Sequence, residues 1–163
     1  LNQSIGFGCY KNSNSHIYDH FHSYLNIPDT SNRDSLFQAE ARRCKNIIEF
    51  IENNKNKKHF CIFDEIYSGT NPNDAILCAS IYLKGLNTYK NVDYVLTTHY
   101  IKLCENFDSN DSIVNKKMKT IQNENKFDYT YKLHNGISRI NGGYQILVDL
   151  NYPQYLLKYY EKI

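Results

Sequence analysis

Two adjacent acids, Asp64 and Glu65, end a wholly apolar run, Phe60-Cys61-Ile62-Phe63. Farther along, His99 follows Thr97 and Thr98 at the end of a second apolar run, Tyr94 to Leu96. Ser35 stands before a helical pattern, and a loop bearing Gly69, Thr70, Asn71 and Asp74 follows the acids. Carboxylate oxygens suit a hard divalent cation such as Mg²⁺. A neighbouring carboxylate can polarise a water for attack, and a histidine can hold or move a proton near neutral pH. The N–H groups at a helix N-terminus receive anions. Each of these residues also has a plainer role open to it. The acids can be a solvated pair and His99 an ordinary strand-end histidine. Ser35 can be an N-cap contributing about 1 kcal/mol, and Asn71 and Asp74 can be loop and cap residues.

Position then depends on the elements. Phe37, Ala41, Cys44, Ile48 and Ile51 recur at helical spacing, predicting a helix from Ser35 to about Asn53. Ser35 and Gln38 have the spacing of a capping box. The run 60–63 is apolar throughout, as in a strand covered on both faces. Asp74 to Leu86 is apolar nearly all round and predicts a buried helix, and Tyr94 to Leu96 predicts a second strand. Strand, helix, strand is a βαβ unit, so the sheet is parallel. In open α/β sheets, ligands bind beyond the carboxyl ends of the strands. Asp64, Glu65 and His99 all lie at such ends. His20 to Tyr24 alternates as another strand.

The C-terminal part reads differently. Glu105 to Lys119 is polar enough for a long connection. Phe127, Tyr129, Tyr131 and Leu133 alternate as a half-buried strand. Asn135-Gly136 predicts a hairpin turn, with Ile137 to Ile140 as the return strand. A short helix over Tyr144 to Leu150 follows, then a last helix from Pro153 to about Lys162.

Composition narrows the class. A chain of 163 residues fits one domain, and 8 Phe with 15 Tyr are too many aromatics for a solvated coil. A net charge of +2 is too small to argue for nucleic acid or an anionic membrane. The longest apolar stretch, Ala75 to Leu83, is far short of the ~20 residues of a bilayer span. No targeting signal is visible, and the expectation is a soluble, intracellular protein. The 5 cysteines include no C-x-x-C pair, and Cys44, Cys61 and Cys78 sit in apolar runs as small hydrophobes. His20 and His22 have no third metal ligand at useful spacing. The first residue is Leu1, not Met, which suggests a piece of something longer.

Taken together, three motifs resemble one family. FCIFDE has the form of a Walker B strand. S-x-x-x-x-E from Ser35 to Glu40, then DEIYSGTNPND, then TTHY, look like the ATPase domain of the DNA mismatch-repair MutS proteins, which are ABC-type ATPases. Asp64, Glu65, Ile66, Gly69, Thr70 and Asp74 match the family's DEI-x-x-GT-x-x-x-D. Thr98, His99 and Tyr100 match its T-H-Y/F. Ser35, Phe37 and Glu40 match its S-T-F-x-x-E, with Leu36 in place of Thr. Arg33-Asp34 stand where a glycine is common, and no G-x-x-x-x-G-K-[ST] occurs.

The resemblance implies an α/β fold: an ABC-type P-loop NTPase half-domain, mostly parallel sheet flanked by helices, with a C-terminal β-hairpin and helices. Residues 1–163 are then the C-terminal portion of that ATPase domain, with the P-loop upstream of Leu1. The implied cofactors are ATP and Mg²⁺. Asp64 holds the metal, Glu65 and His99 are catalytic, and Ser35 reaches the nucleotide of a partner subunit. Gly69, Thr70, Asn71 and Asp74 line the subunit contact. The implied partners are mismatched or damaged DNA, bound through other domains, and a second MutS-like subunit paired head to tail. ATP turnover then switches a clamp on that DNA. The alternative is a non-catalytic or truncated ABC-type remnant serving as a dimerisation module. The absence of an LSGG-type signature argues against an ATPase of the SMC kind.

Overall fold

A computed structural model of the chain describes residues 16–25, 35–108, 112–123, 126–140 and 142–159. Contacts divide the chain into two compact units, Leu1–Tyr100 and Ile101–Ile163.

The first unit holds β1 (His20–Tyr24), α1 (Leu36–Asn53), β2 (His59–Asp64), α2 (Pro72–Leu86) and β3 (Val92–Thr97). The strands form a parallel sheet in the order β1-β2-β3. β2 is central, with His20 beside His59 on one flank and Asp64 beside Thr97 on the other. The capping box at the start of α1 is present: Ser35 Oγ accepts from Gln38 N–H, and Gln38 Oε1 accepts from Ser35 N–H. Asn71 caps α2 in the same way, its side-chain oxygen accepting from Asp74 N–H at 3.0 Å, with Pro72 opening the helix.

Both helices lie on one face of the sheet. Cys44, Ile47 and Ile51 of α1 and Ala75, Ala79, Leu83 and Leu86 of α2 are buried, together with Cys61 and Phe63 of β2. Phe50 of α1 meets the rings of His20, His22 and His59, and Tyr82 of α2 meets Phe63. Burying a side chain such as Phe63 or Ile51 contributes about 1.5–3 kcal/mol. The opposite face alternates with this one: Phe60 and Ile62 are half-buried, and Phe21 and Val95 are 45% and 54% exposed. β2 is therefore covered on one face among the described residues, not on both. An apolar run shows that a strand is fit for burial, but not whether a helix arrives on each side.

Within the covered face, His59 is 0% exposed. Its Nε2 lies 3.0 Å from the Asn54 carbonyl oxygen, and its Nδ1 lies 3.0 Å from His22 Nε2. A carbonyl can only accept, so the His59 proton sits on Nε2, and Nδ1 accepts from His22 Nε2–H. Burial, then the adjoining His59, pushes His22 down to about 4, so its ring is neutral near pH 7. His22 therefore pairs with a histidine.

The second unit holds α3 (Ile101–Glu105), β4 (Lys116–Asn123), β5 (Lys126–Asn135), α4 (Gly143–Asp149) and α5 (Gln154–Leu157). β4 and β5 pair antiparallel, from Lys116 opposite Asn135 to Asn123 opposite Lys126. This corrects the sequence reading of the hairpin. The strand at 126–135 is real, but its partner precedes it, and residues 137–140 form no strand. β4 was hidden because KKMKTIQN carries little apolar alternation. Asn135-Gly136 still turns the chain, with Gly136 at φ 108°, but its N–H reaches back to the Asn115 carbonyl and closes no second ladder. A bulge between Met118 and Thr120 leaves Tyr131 at φ 55°. The last described helix ends at Leu157, short of the expected Lys162. No helix among the described residues is long and apolar enough to cross a membrane.

Candidate functional site

The parallel register of β2 and β3 brings the predicted residues together. Asp64 and Thr97 are partners across the ladder, and the Thr97 hydroxyl hydrogen-bonds to Asp64 Oδ1. One residue further, Glu65 N–H donates to the Thr97 carbonyl at 3.0 Å. Glu65 Oε1 then lies 3.1 Å from His99 Nδ1, with the two side chains 49% and 59% exposed. At that exposure the pair stabilises the fold by no more than about 1 kcal/mol. Its significance is chemical: two carboxylates, a hydroxyl and an imidazole face solvent at the carboxyl edge of the sheet.

The backbone carrying Glu65 is unusual. Glu65 has φ 48° and Tyr67 φ 61°, both in the left-handed region that costs a bulky residue about 1–3 kcal/mol. Surrounding bonds hold it there. Tyr67 N–H donates to Tyr24 Oη at 3.3 Å, and Tyr67 is buried against Phe37 and Tyr82. The chain then passes Gly69, where a Cβ would meet Leu36 Cγ at 2.7 Å and Phe37 N at 2.8 Å. The loop after the acids therefore presses on the first turn of α1, where only glycine fits. From there Thr70 and Asn71 lead into α2, whose cap joins Asn71 to Asp74.

Ser35 is placed differently. It sits at the N-terminus of α1, its N–H and hydroxyl bonded to Gln38 and its carbonyl accepting from Ala39 N–H at 3.0 Å. Among the described residues it makes no hydrogen bond to Asp64, Glu65 or His99, whereas the acids and His99 are joined through Thr97 and the Glu65–His99 contact.

Sequence reasoning assigned no role to Glu40 or Thr97. Glu40 is 2% exposed and accepts from Ser68 N–H and Ser68 Oγ–H on Oε1 at 3.0 and 2.9 Å, and from Gly69 N–H on Oε2 at 3.0 Å. An acid on an otherwise apolar helix face, as Glu40 is between Phe37 and Cys44, was the available signal. For Thr97 the signal was its place one strand-end from His99. Tyr24 carried none.

Among the described residues, no group of three or more His, Cys, Asp or Glu could hold a metal by itself. One carboxylate, Asp64, beside a hydroxyl, Thr97, is an all-oxygen set. It suits a Mg²⁺ that brings phosphate and water ligands with it, since that ion is usually bound through one or two carboxylates plus substrate phosphates.

Fold and site together define an α/β domain with an acid, acid and histidine cluster at the carboxyl edge of a parallel sheet. The chain belongs to the MutS family: the sequence model of MutS domain V matches residues 6–163. It is similar to the endonuclease MutS2 of Clostridium kluyveri, 26% identical over 135 residues, covering 83% of this chain and 17% of that protein. It is also similar to the DNA mismatch repair protein MutS of Bacillus thuringiensis, 24% identical over 129 residues, covering 79% of this chain and 14% of that protein. The chain thus spans a small part of the length of the curated relatives it matches.

Proposed function

We propose that these residues form the Walker B and signature part of an ABC-type ATPase site in a MutS-like protein, where ATP turnover switches a clamp on mismatched or damaged DNA. The carrying observation is the convergence of Asp64, Thr97, Glu65 and His99 at one sheet edge. Asp64 is the Mg²⁺ ligand, and the metal when bound neutralises charge on the phosphates. Glu65 accepts a proton from the attacking water and aligns it with the γ-phosphate. His99 senses that phosphate. While its Nδ1–H donates to Glu65, a neutral His99 offers only a lone pair at Nε2. To donate to a phosphate oxygen it must take a second proton or release Glu65. Phosphate arrival and release of the base are therefore linked.

The main phosphate cradle in this reading is a P-loop in a segment preceding these residues. Ser35 serves the nucleotide of a second subunit, homologous or identical, paired head to tail. The capped N-terminus of α1 supports that role, because it offers N–H groups and a positive dipole end to an anion. Gly69, Thr70, Asn71 and Asp74 lie at the subunit contact.

Mixed dimers of the full-length protein test this arrangement. Ser35→Ala and Glu65→Gln homodimers each lack turnover. A mixture gives one site impaired twice and one site intact, and recovers part of the activity. No recovery, with heterodimers shown to form, assigns Ser35 to helix capping alone.

A further inference from the structure

Glu40 is the one buried carboxylate among the described residues, and no role has been given to it above. Both of its oxygens are spent on the loop that follows Glu65: Oε1 on Ser68 N–H and Oγ–H, Oε2 on Gly69 N–H. On the same helix, Leu36 and Phe37 fill the space a Cβ on Gly69 would need, and the Phe37 ring meets Tyr67 at 5.9 Å. The first turns of α1 and the loop from Ile66 to Thr70 are thereby one body. Ser35 opens the helix at one end of that body, and Glu65 opens the loop at the other.

We propose that Glu40 is a positioning residue that couples the two ends, so that a phosphate received at the Ser35 end of α1 fixes the place of Glu65. The proposal rests on the reading of Ser35 and Glu65 as nucleotide-site residues. A carboxylate is the group the geometry requires. Three donors of the loop converge on Glu40, with the Tyr24 hydroxyl a further partner, and both oxygens must accept. A glutamine has nearly the same shape, but it has one accepting oxygen and turns an NH₂ group toward Gly69 N–H or Ser68. Glu40→Gln therefore changes the bonding and leaves the volume alone.

The test uses the full-length protein in two measurements. Amide hydrogen exchange in Glu40→Gln is expected to rise about tenfold at Ser68 and Gly69, with the buried turn of α1 around Ile47 unchanged. In steady-state ATP hydrolysis, kcat is expected to fall about tenfold while KM moves less than about twofold, the signature of a misplaced base and not of lost binding. Unchanged exchange overturns the tie itself. A loosened loop with unchanged kcat, in a protein whose Glu65→Gln variant is inactive, overturns the coupling. If Glu65→Gln itself keeps full turnover, the reading of Glu65 fails and the coupling fails with it, while the exchange result still decides the tie. Should Glu40→Gln not fold, Ser68→Ala removes one donor and leaves Glu40 in place. A kcat about threefold lower at constant KM supports the proposal, and wild-type kcat overturns it.

Discussion

Glu65 Oε1 accepts a 3.1 Å hydrogen bond from His99 Nδ1, although 34 positions separate the two in sequence. The bond exists because Asp64 and Thr97 are ladder partners, so the residues just beyond each strand end meet. An ionised carboxylate can only accept, so the bond to Glu65 takes its proton from His99 Nδ1. Register, and not chain proximity, therefore sets the protonation geometry at the sheet edge.

The contact between Gly69 and α1 predicts a sharp contrast between two glycines. Alanine at 69 places a Cβ 2.8 Å from a backbone nitrogen that cannot give way. Gly69→Ala is expected to lower stability by about 1–3 kcal/mol. Gly85, near the end of α2, has nothing within 4 Å of its would-be Cβ. Gly85→Ala is expected to raise stability by about 0.5–1 kcal/mol. Urea unfolding of both variants checks this, and equal stabilities would contradict the close approach.

The histidine stack predicts an acid-sensitive fold. His22 is held down to about 4 by burial and by His59, His20 and Arg43, against an unfolded value near 6.5. Between those values the unfolded chain binds a proton that the folded chain refuses. Stability from this group is therefore full above about pH 6.5 and is lost as pH falls toward 4. After solvent screening the loss is about 1–2 kcal/mol. His22→Gln keeps a donor for His59 and removes the titration. Its stability should fall less than wild type between pH 7 and pH 4.5 by that amount, as read by urea unfolding at the two pH values. Identical slopes would show that His22 titrates normally.

Much of this was legible in the chain. Ser35 with Gln38 announced the start of α1, and FCIFDE and TTH announced two strands with chemistry at their ends, because capping and apolar runs are local signals. Family motifs then gave the order. What stayed hidden was set by partners distant in sequence. β4 has too little alternation to be seen without β5. Glu40 reads only as the last residue of the S-x-x-x-x-E match until Ser68 and Gly69 are placed over it. The half-covered sheet cannot be read from β2, because burial of its second face depends on which side the helices land.

The buried thiols predict a labelling pattern. Burial pushes Cys44 and Cys61 up to about 12, so almost no thiolate is present at pH 8. Neither should react with iodoacetamide in the folded protein, while half-buried Cys104 should react faster than both and all should react in urea. Peptide mass spectrometry reads the sites. Rapid native labelling of Cys61 would place it outside the core.

The central claim is that Glu65 is the base of an ATP-hydrolysing site. Single-turnover hydrolysis by the full-length protein carrying Glu65→Gln tests it most directly. The account predicts nucleotide binding within about twofold of wild type and a hydrolysis step slower by about 10²- to 10⁴-fold, the usual contribution of a general base. Hydrolysis within about threefold of wild type would contradict it, and would leave the Glu65–His99 pair as an ordinary surface contact.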